Sequence, residues 1–231
     1  MNSSAIDTSF DFRTESGSRD PDSHSPTLQR YQQLLWSKPL LSGAMFDLTP
    51  EFAGSARVLR HESELGVFVL SSDTILNSNK GPLKHLYEQM PPEANAAWHR
   101  SSIGARLLFP RNRVDRKQTI NQERGTNARI RDRFDLTLEA IRRHYANQPS
   151  PLSAVLARHS DFFALFETFE GYVDFFLLND LVDAKGQIRF YLPFDTYDLS
   201  PLPATFGEYV TFRNAQLEFL IRRTERIRLL A

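Results

Sequence analysis

The chain has 231 residues, 28 of them basic and 28 acidic, so its formal net charge is zero, and 41% of its residues are hydrophobic. This length and composition are typical of one globular domain, and eighteen Phe residues predict a core built largely from aromatic rings. The absence of cysteine excludes disulfides and zinc-thiolate sites, and the absence of a signal-peptide pattern or an apolar run of about 20 residues predicts a cytoplasmic protein without membrane contact.

The first 24 residues are polar and predominantly acidic, and we predict that they form an arm ahead of the folded domain. Phe10 and Phe12 alternate with polar residues, which permits a short edge strand in this arm. Ser25-Pro26 is typical of a helix start, because the serine can accept from a free backbone amide and the proline sits where no amide bond is lost. This helix is expected to end near Trp36.

The middle of the chain contains short apolar runs separated by turn residues. They predict four strands: Ala44–Leu48, Arg57–His61, Gly66–Ser71 and Ile103–Phe109. The segment 61–66 is expected to close a hairpin. A short helix is predicted over Gly81–Met90, where Pro91 stops it.

The remainder of the chain is mainly helical in its periodicity. One helix is predicted from about Asn127 to Tyr145, and a second begins near Ser150. Gly171 is expected to break the chain before an apolar segment at 172–182, and residues 187–192 alternate as a strand does. Thr205 and Glu208 form a capping box that starts a long C-terminal helix.

Helices that follow a strand-rich middle, without alternating with it, favour the α+β class. We predict a single domain over residues 25–231, with a short, mostly antiparallel sheet in the middle of the chain and C-terminal helices packed against it.

The segment 111–143 has ten basic and five acidic residues, an unusual concentration in a chain of zero net charge. Gly125 is expected to form a turn just ahead of a helix N-terminus, where backbone amides and the helix dipole favour an anion. Alternatively, the second half of this segment is the solvated face of an amphipathic helix. The first interpretation predicts an anion site with five candidate binding residues: Arg113, Lys117, Asn121, Arg124 and Arg133.

Three residues are candidates for acid or base chemistry: Asp73, His144 and Asp174. Asp174 together with Asp183-Ala184-Lys185 also matches the acidic-x-Lys triplet of metal-dependent nucleases, although Lys185-Gly186 indicates a turn where that triplet requires a strand. The histidines show no metal-ligand spacing, and no P-loop, dinucleotide-binding fingerprint or nucleophile elbow is present. The sequence therefore predicts no metal site and assigns neither a cofactor nor a reaction.

Several long stretches resemble those of an uncharacterised bacterial protein family: residues 19–40 (RDPDSHSPTLQRYQQLLWSKPL), 61–73 (HESELGVFVLSSD), 119–125 (TINQERG), 132–145 (DRFDLTLEAIRRHY) and 171–182 (GYVDFFLLNDLV). The resemblance extends over most of the chain. That family's pattern often has His where this chain has Gln32 and Pro where it has Leu41. The resemblance implies a single bacterial cytoplasmic domain and brings with it no activity, ligand or catalytic residue.

The hypothesis that best fits these features is a soluble domain that binds a nucleotide or another phosphorylated small molecule through its Arg-rich loop and a helix N-terminus. Residues 111–133 have no interleaved aromatic rings on which bases could stack, so a small ligand is favoured over nucleic acid. One alternative is a non-catalytic module whose basic patch binds an acidic protein surface, including that of a second copy in a homo-oligomer. The other is a metal-dependent nuclease or toxin-like enzyme.

Overall fold

The computed structural model describes residues 6–53, 56–77, 79–96 and 101–230, which form eleven α-helices and six β-strands. The helices are α1 (Arg13–Ser16), α2 (Pro21–His24), α3 (Pro26–Trp36), α4 (Lys84–Tyr87), α5 (Pro92–Ala96), α6 (Ile120–Thr126), α7 (Phe134–Tyr145), α8 (Ser153–Arg158), α9 (Ser160–Ala164), α10 (Phe169–Phe175) and α11 (Phe206–Leu230). The strands are β1 (Lys38–Pro39), β2 (Met45–Phe46), β3 (Thr49–Ala53), β4 (Ala56–Ser63), β5 (Gly66–Thr74) and β6 (Arg106–Pro110).

Strands β3, β4, β5 and β6 form an antiparallel sheet in chain order, and β1 pairs with β2 in a separate two-stranded sheet. In the larger sheet Leu59 lies opposite Leu70, and Leu70 lies opposite Pro110. The hairpin between β4 and β5 closes at the predicted place. The predicted α+β class, with an antiparallel sheet in the middle of the chain, is confirmed.

The sheet is covered on both faces, as the neighbours Ser72 and Asp73 in β5 show. Adjacent residues of a strand point to opposite faces. Ser72 donates hydrogen bonds to Asp22 of α2, whereas Asp73 binds Arg124 of α6. The sheet therefore lies between α2 and α6, with Ser72 buried on one face and Asp73 partly buried on the other.

The C-terminal helix α11 packs against the 3-10 turn Ile103–Ala105, which leads directly into β6. A Cβ atom on Gly104 would lie 2.2 Å from Thr224 Oγ1, so this close approach requires glycine. Although α11 has 25 residues, neither it nor any other helix in the described residues combines the length and apolar character needed to cross a membrane.

Aromatic rings fill the core, as the Phe content predicts. Tyr172 and Phe176 of the α10 region have ring centroids 5.0 Å apart, and Trp36 of α3 contacts Phe176 edge-on at 5.2 Å. Phe46 of β2 meets Phe175 at 5.2 Å. These contacts join α3, the small sheet and α10 into one core.

The helix starts that were predicted from capping residues are confirmed. Ser25 Oγ accepts from Leu28 N at 3.1 Å, and α3 spans Pro26–Trp36 as expected. Thr205 Oγ1 accepts from Glu208 N at 3.2 Å at the start of α11.

Several element predictions are wrong, among them the following three. Residues 187–192 form no strand, because the only pairing there is an isolated bridge between Val182 and Ile188. The helix predicted from Asn127 begins at Phe134 instead, since Arg131 and Asp132 have positive φ values of 47° and 61°, which no right-handed helix accommodates. Gly171 lies inside α10 and does not break the chain.

The acidic N-terminal segment packs on the rest of the chain from residue 6 onward; residues 1–5 lie outside the described residues. Phe12 is completely buried, and both Phe10 and Phe12 contact the Tyr31 ring. The short edge strand that the Phe10 and Phe12 alternation permits does not form: residues 6–12 pair with no strand, and residues 13–16 and 21–24 are helical. The domain boundary at residue 24 stays a prediction.

Candidate functional site

The loop of residues 111–118, here called the basic loop, is anchored at both ends. At its start Arg111 N donates to Val69 O at 2.8 Å, and Asn112 Oδ1 accepts from Val69 N at 3.1 Å, so the loop continues the pairing of β6 with β5. At its end Thr119 forms a reciprocal capping box with Gln122 of α6. The loop is therefore fixed to the sheet and to a helix.

The basic loop has four cations and one carboxylate, Asp115, which leaves a net charge of three positive units. Its cations are Arg111, Arg113, Arg116 and Lys117. In the described part of the chain no carboxylate lies within 4.0 Å of any of the four, and all except the partly buried Arg111 are exposed. Their charge is unmatched at close range.

Two residues outside the basic loop extend its polar surface. Arg158 of α8 donates through Nη2 to Gln118 O at 2.9 Å, and so brings a further guanidinium to the end of the basic loop. Asn121, in the first turn of α6, is partly buried, and its Oδ1 is buried with no hydrogen-bond partner among the described residues. Buried side-chain polar atoms usually have a partner, so this amide leaves one hydrogen-bonding group unsatisfied beside the basic loop.

Arg124 is placed differently from the exposed cations of the basic loop. Its side chain is completely buried, and Nη1 lies 2.7 Å from Asp73 Oδ2 while Nη2 lies 3.4 Å from Asp132 Oδ1. Nε donates to Thr137 Oγ1 at 3.3 Å. Burial raises the pKa of Asp73, and the positive charge of Arg124 opposes that rise. Arg124 therefore ties α6 to β5 and to the segment ahead of α7 through two carboxylates, and to α7 itself through the Thr137 hydroxyl.

Arg133 is also buried and paired. Its Nε donates to Asp135 Oδ1 at 3.1 Å, its Nη2 contacts the other oxygen of the same carboxylate, and Nη1 donates to Pro201 O at 2.8 Å. Asp135 lies in the first turn of α7 and also accepts from Tyr191 N at 2.9 Å. A carboxylate of the chain thus already occupies the start of α7.

The expected geometry of a glycine turn ahead of a helix start is wrong. Gly125 lies within α6, and the capping box of Thr119 and Gln122 binds backbone amides at the start of that helix. At the start of α7 the anion is Asp135. Any anion binding by this region therefore depends on side chains. Direct ligand contact by Arg124 and Arg133 stays a prediction, and it would require Asp73 or Asp135 to release them.

The three candidate acids and bases are not brought together in the described structure. Asp73 binds Arg124, as above. His144 is partly buried against the Phe163 ring at 5.3 Å, and burial lowers its pKa. Asp174 is exposed on α10 and accepts a hydrogen bond from Asn179.

The nuclease-like triplet Asp183-Ala184-Lys185 lies in a turn, as the following Gly186 indicated. Asp183 Oδ1 accepts from the backbone amides of Lys185 at 2.8 Å and Gln187 at 2.9 Å, which is the geometry of a turn and not of a strand. Across residues 6–53, 56–77, 79–96 and 101–230, no group of three or more His, Asp or Glu side chains could hold a metal ion.

The chain matches the model of a family described as "Family of unknown function (DUF6994)" over residues 6–227, which is most of its length. The chain belongs to this family. No curated protein and no solved structure matches the DUF6994 chain.

The carboxylate of Asp22 is a feature of the DUF6994 chain that the sequence did not single out. It is only 8% exposed, and Oδ1 accepts from Ser72 N at 3.0 Å, from Ser72 Oγ at 2.7 Å and from Gln32 Nε2 at 3.4 Å. Burial raises the pKa of Asp22 to about 6, against the opposing charge of Arg106 and the Ser72 hydrogen bonds. In the sequence Asp22 is one of several acidic residues in a polar segment, and nothing local marks it as buried.

Asp22 should make the stability of the protein fall as pH rises. The pKa is about 6 in the folded state and 3.8 for an unperturbed aspartate, so the stabilisation from a protonated Asp22 is present below about pH 4 and is lost as pH rises through 6. Asp22→Asn keeps an acceptor oxygen but cannot ionise. The free energy of unfolding of this variant relative to the wild type should rise by on the order of 3 kcal/mol between about pH 4 and neutral pH. Urea unfolding across a pH series measures this difference.

Asp195→Asn is the matched control, because it removes one carboxylate from an exposed position. Its unfolding free energy should follow that of the wild type at every pH. Parallel curves for Asp22→Asn and the wild type would contradict the assignment of Asp22 as a buried ionising group.

Proposed function

We propose that the protein binds a phosphate-bearing small molecule, a nucleotide or a phosphorylated metabolite, at the basic loop and the adjoining first turn of α6. Arg113, Lys117 and Asn121 are its proposed binding residues. The observation that carries the proposal is the unmatched charge of a loop held in place at both ends. An anchored loop loses less conformational entropy on binding than a free one, so its cations are prepared for a ligand.

The contrast with the other arginines of the same segment supports this choice. Arg124 and Arg133 have carboxylate partners within the chain, and Arg142 and Arg143 both pair with Glu139 at 2.7 Å. These four arginines, all of which follow the basic loop in the chain, are therefore accounted for by ion pairs within the chain. The cations of the basic loop have no such partner in the described structure. A guanidinium group can bind two phosphate oxygens at once, so these cations suit a phosphate ligand.

Asn121 gives the site a polar group besides its charges. Its amide can offer either an oxygen or two N–H donors, so it can bind a phosphate oxygen or a hydroxyl of the ligand. Arg124 and Arg133 hold α6 and α7 beneath this surface, and the proposal does not depend on direct contact between them and the ligand. No reaction is included, because Asp73, His144 and Asp174 lie in separate surroundings.

The test is stabilisation of the protein by ligands, measured as melting temperature and by calorimetric titration with pyrophosphate, ADP and glucose phosphate. A ligand at about one hundred times its Kd stabilises the folded state by about 2.7 kcal/mol. We expect such a rise for the wild type with at least one of these probes, and its loss in Arg113→Ala/Lys117→Ala. The affinity should fall as salt rises, since these are exposed charges.

The matched control is Arg19→Ala/Lys84→Ala, which removes two exposed cations from α4 and the N-terminal region. It should respond to the ligands as the wild type does. A wild type that none of the phosphate probes stabilises would overturn the proposal. If its apparent mass then depended on concentration and salt, and the loop variant were monomeric, the basic loop would instead be a protein contact.

A further inference from the structure

A cleft that the proposed function does not use lies between the segment of β1 and helix α10, with a volume of about 250 Å³. This volume is below the roughly 300–1,000 Å³ of sites for drug-sized ligands, which indicates a small occupant. Its walls are mainly apolar, and the residues that line it include Lys38, Leu40, Leu41, Phe166, Asp174 and Phe175.

Lys38 is the cation of this cleft. Its Nζ donates to Phe175 O at 2.7 Å and lies 4.5 Å from the centroid of the Phe175 ring and 5.1 Å from that of Trp36. No carboxylate of the described residues comes within 4.0 Å of it, and Phe175 O is its one hydrogen-bond acceptor there. An ammonium group has three N–H donors, so Lys38 can still donate to a ligand.

A second cation lies behind Lys38. Arg223 of α11 is completely buried and has no carboxylate partner in the described structure. Its guanidinium donates to the backbone carbonyls of Phe176 at 3.2 Å, Arg106 at 2.9 Å and Gly104 at 2.5 Å. Lys38 and Arg223 therefore both contact carbonyls at the C-terminal end of α10, which carries partial negative charge.

The charges that face Lys38 are these two: Arg223 from α11 and Asp174 from α10. Burial and then the charge of Arg223 lower the pKa of Lys38 to about 8, and Asp174 opposes the change only in part. Asp174 is exposed and bound to Asn179, so it does not neutralise the ammonium directly. The cleft has a cation in apolar surroundings whose charge a bound anion would balance.

We propose that this cleft binds a small monocarboxylate with a short branched or aromatic apolar body, its carboxylate accepting from Lys38 Nζ and its body packed on Leu40, Leu41 and Phe166. One ammonium provides one balancing charge, which suits a carboxylate. A phosphate dianion would bring a second negative charge to apolar walls and to the vicinity of Asp174. This site is separate from the basic loop and does not depend on the proposed function.

The experiment titrates the full-length protein with isovalerate, isocaproate and phenylacetate, and with isovaleramide as the neutral analogue of the first. Calorimetry and the NMR signals of the Phe and Leu side chains report binding. At least one of the acids should bind, and isovalerate should bind at least tenfold more tightly than its amide. Because the bound anion favours the protonated amine, the affinity should be constant from about pH 6, where the acids are fully ionised, to about pH 8, and fall toward tenfold per pH unit above it.

Two variants test the placement. Lys38→Met should weaken binding of the acids at least tenfold, whereas Lys84→Met, which replaces an exposed lysine of α4, should leave it unchanged. Leu41 is 64% exposed, so Leu41→Asp should fold normally. The carboxylate introduced there should repel the ligand and weaken binding about as much as Lys38→Met does. Arg113→Ala/Lys117→Ala should bind the acids as the wild type does, so failure of one proposed site is distinguishable from failure of the other.

Four results would overturn the proposal: no binding of any of the three acids, equal affinity for isovalerate and isovaleramide, unchanged acid binding in a folded Lys38→Met, or unchanged acid binding in Leu41→Asp. If Lys38→Met proves unstable, the Leu41→Asp variant and the pH profile of the wild type still decide the question.

Discussion

Replacing Arg124 with methionine should lower the free energy of unfolding by about 3–5 kcal/mol, which is the usual effect of removing one partner from a buried ion pair. The guanidinium is completely buried, and the carboxylate of Asp73 lies 2.7 Å from it. Without Arg124, Asp73 keeps its negative charge in surroundings that already raise its pKa, and Asp132 loses its cation as well. Urea unfolding at neutral pH, followed by fluorescence and circular dichroism, measures the loss.

The double variant Arg124→Met/Asp73→Asn separates the ion pair from the packing. It should be less destabilised than the single variant, because Asp73, the carboxylate nearer to Arg124, is then no longer left charged without its partner, and only Asp132 has lost its cation. Arg129→Ala is the surface control: this arginine is 60% exposed and pairs with the exposed Asp198, so its loss should cost less than about 1 kcal/mol. An unfolding free energy for Arg124→Met within that same margin of the wild type would contradict the assignment of Arg124 as a buried tie between elements.

The elements that the sequence predicted correctly depend on neighbouring residues. Ser25-Pro26 starts α3, and Thr205 with Glu208 starts α11, because a helix cap forms within one turn of the chain. The hairpin of β4 and β5 is likewise set by its turn. These features need no knowledge of the rest of the fold, so sequence patterns were sufficient.

The wrong predictions depend on distant partners. Residues 187–192 alternate like a strand, but a strand needs a neighbour to pair with, and only one bridge is available. Gly125 looked like a turn residue, yet α6 continues through it because Arg124 beside it is held by Asp73 from a strand 51 residues earlier. Local composition does not show whether such a partner exists.

The same limit explains why the arginines of one segment separate into two groups. Arg113 and Arg124 look alike in the sequence, but one is exposed without a carboxylate and the other is buried between two. Lys38 and Asp22 were missed for the same reason. Their burial arises from α10 and β5, and no periodic pattern around either residue reports it.

Replacing Arg223 with methionine should also lower the free energy of unfolding by about 3–5 kcal/mol, for a different physical reason. Arg223 has no carboxylate partner in the described structure, so its removal relieves the cost of a buried charge. Against this, the carbonyls of Gly104, Arg106 and Phe176 lose their donor, and each unsatisfied buried acceptor costs about 1–3 kcal/mol. Three carbonyls left without a donor should cost more than is gained by removing one buried charge. We therefore expect a net loss of stability, which urea unfolding measures.

Arg222→Met, one residue earlier in α11, is the control. Its side chain is 51% exposed and pairs with Glu218, so this variant should remain close to the wild type in stability. Arg223→Met should also change a property that packing alone would not move. Because the charge of Arg223 lowers the pKa of Lys38, its loss should raise that pKa from about 8, and NMR titration of a methylated Lys38 amine would follow the change. A stable Arg223→Met protein with the Lys38 pKa unmoved would mean that the two cations do not interact, and the positive charge that draws a carboxylate to the cleft would then come from Lys38 alone.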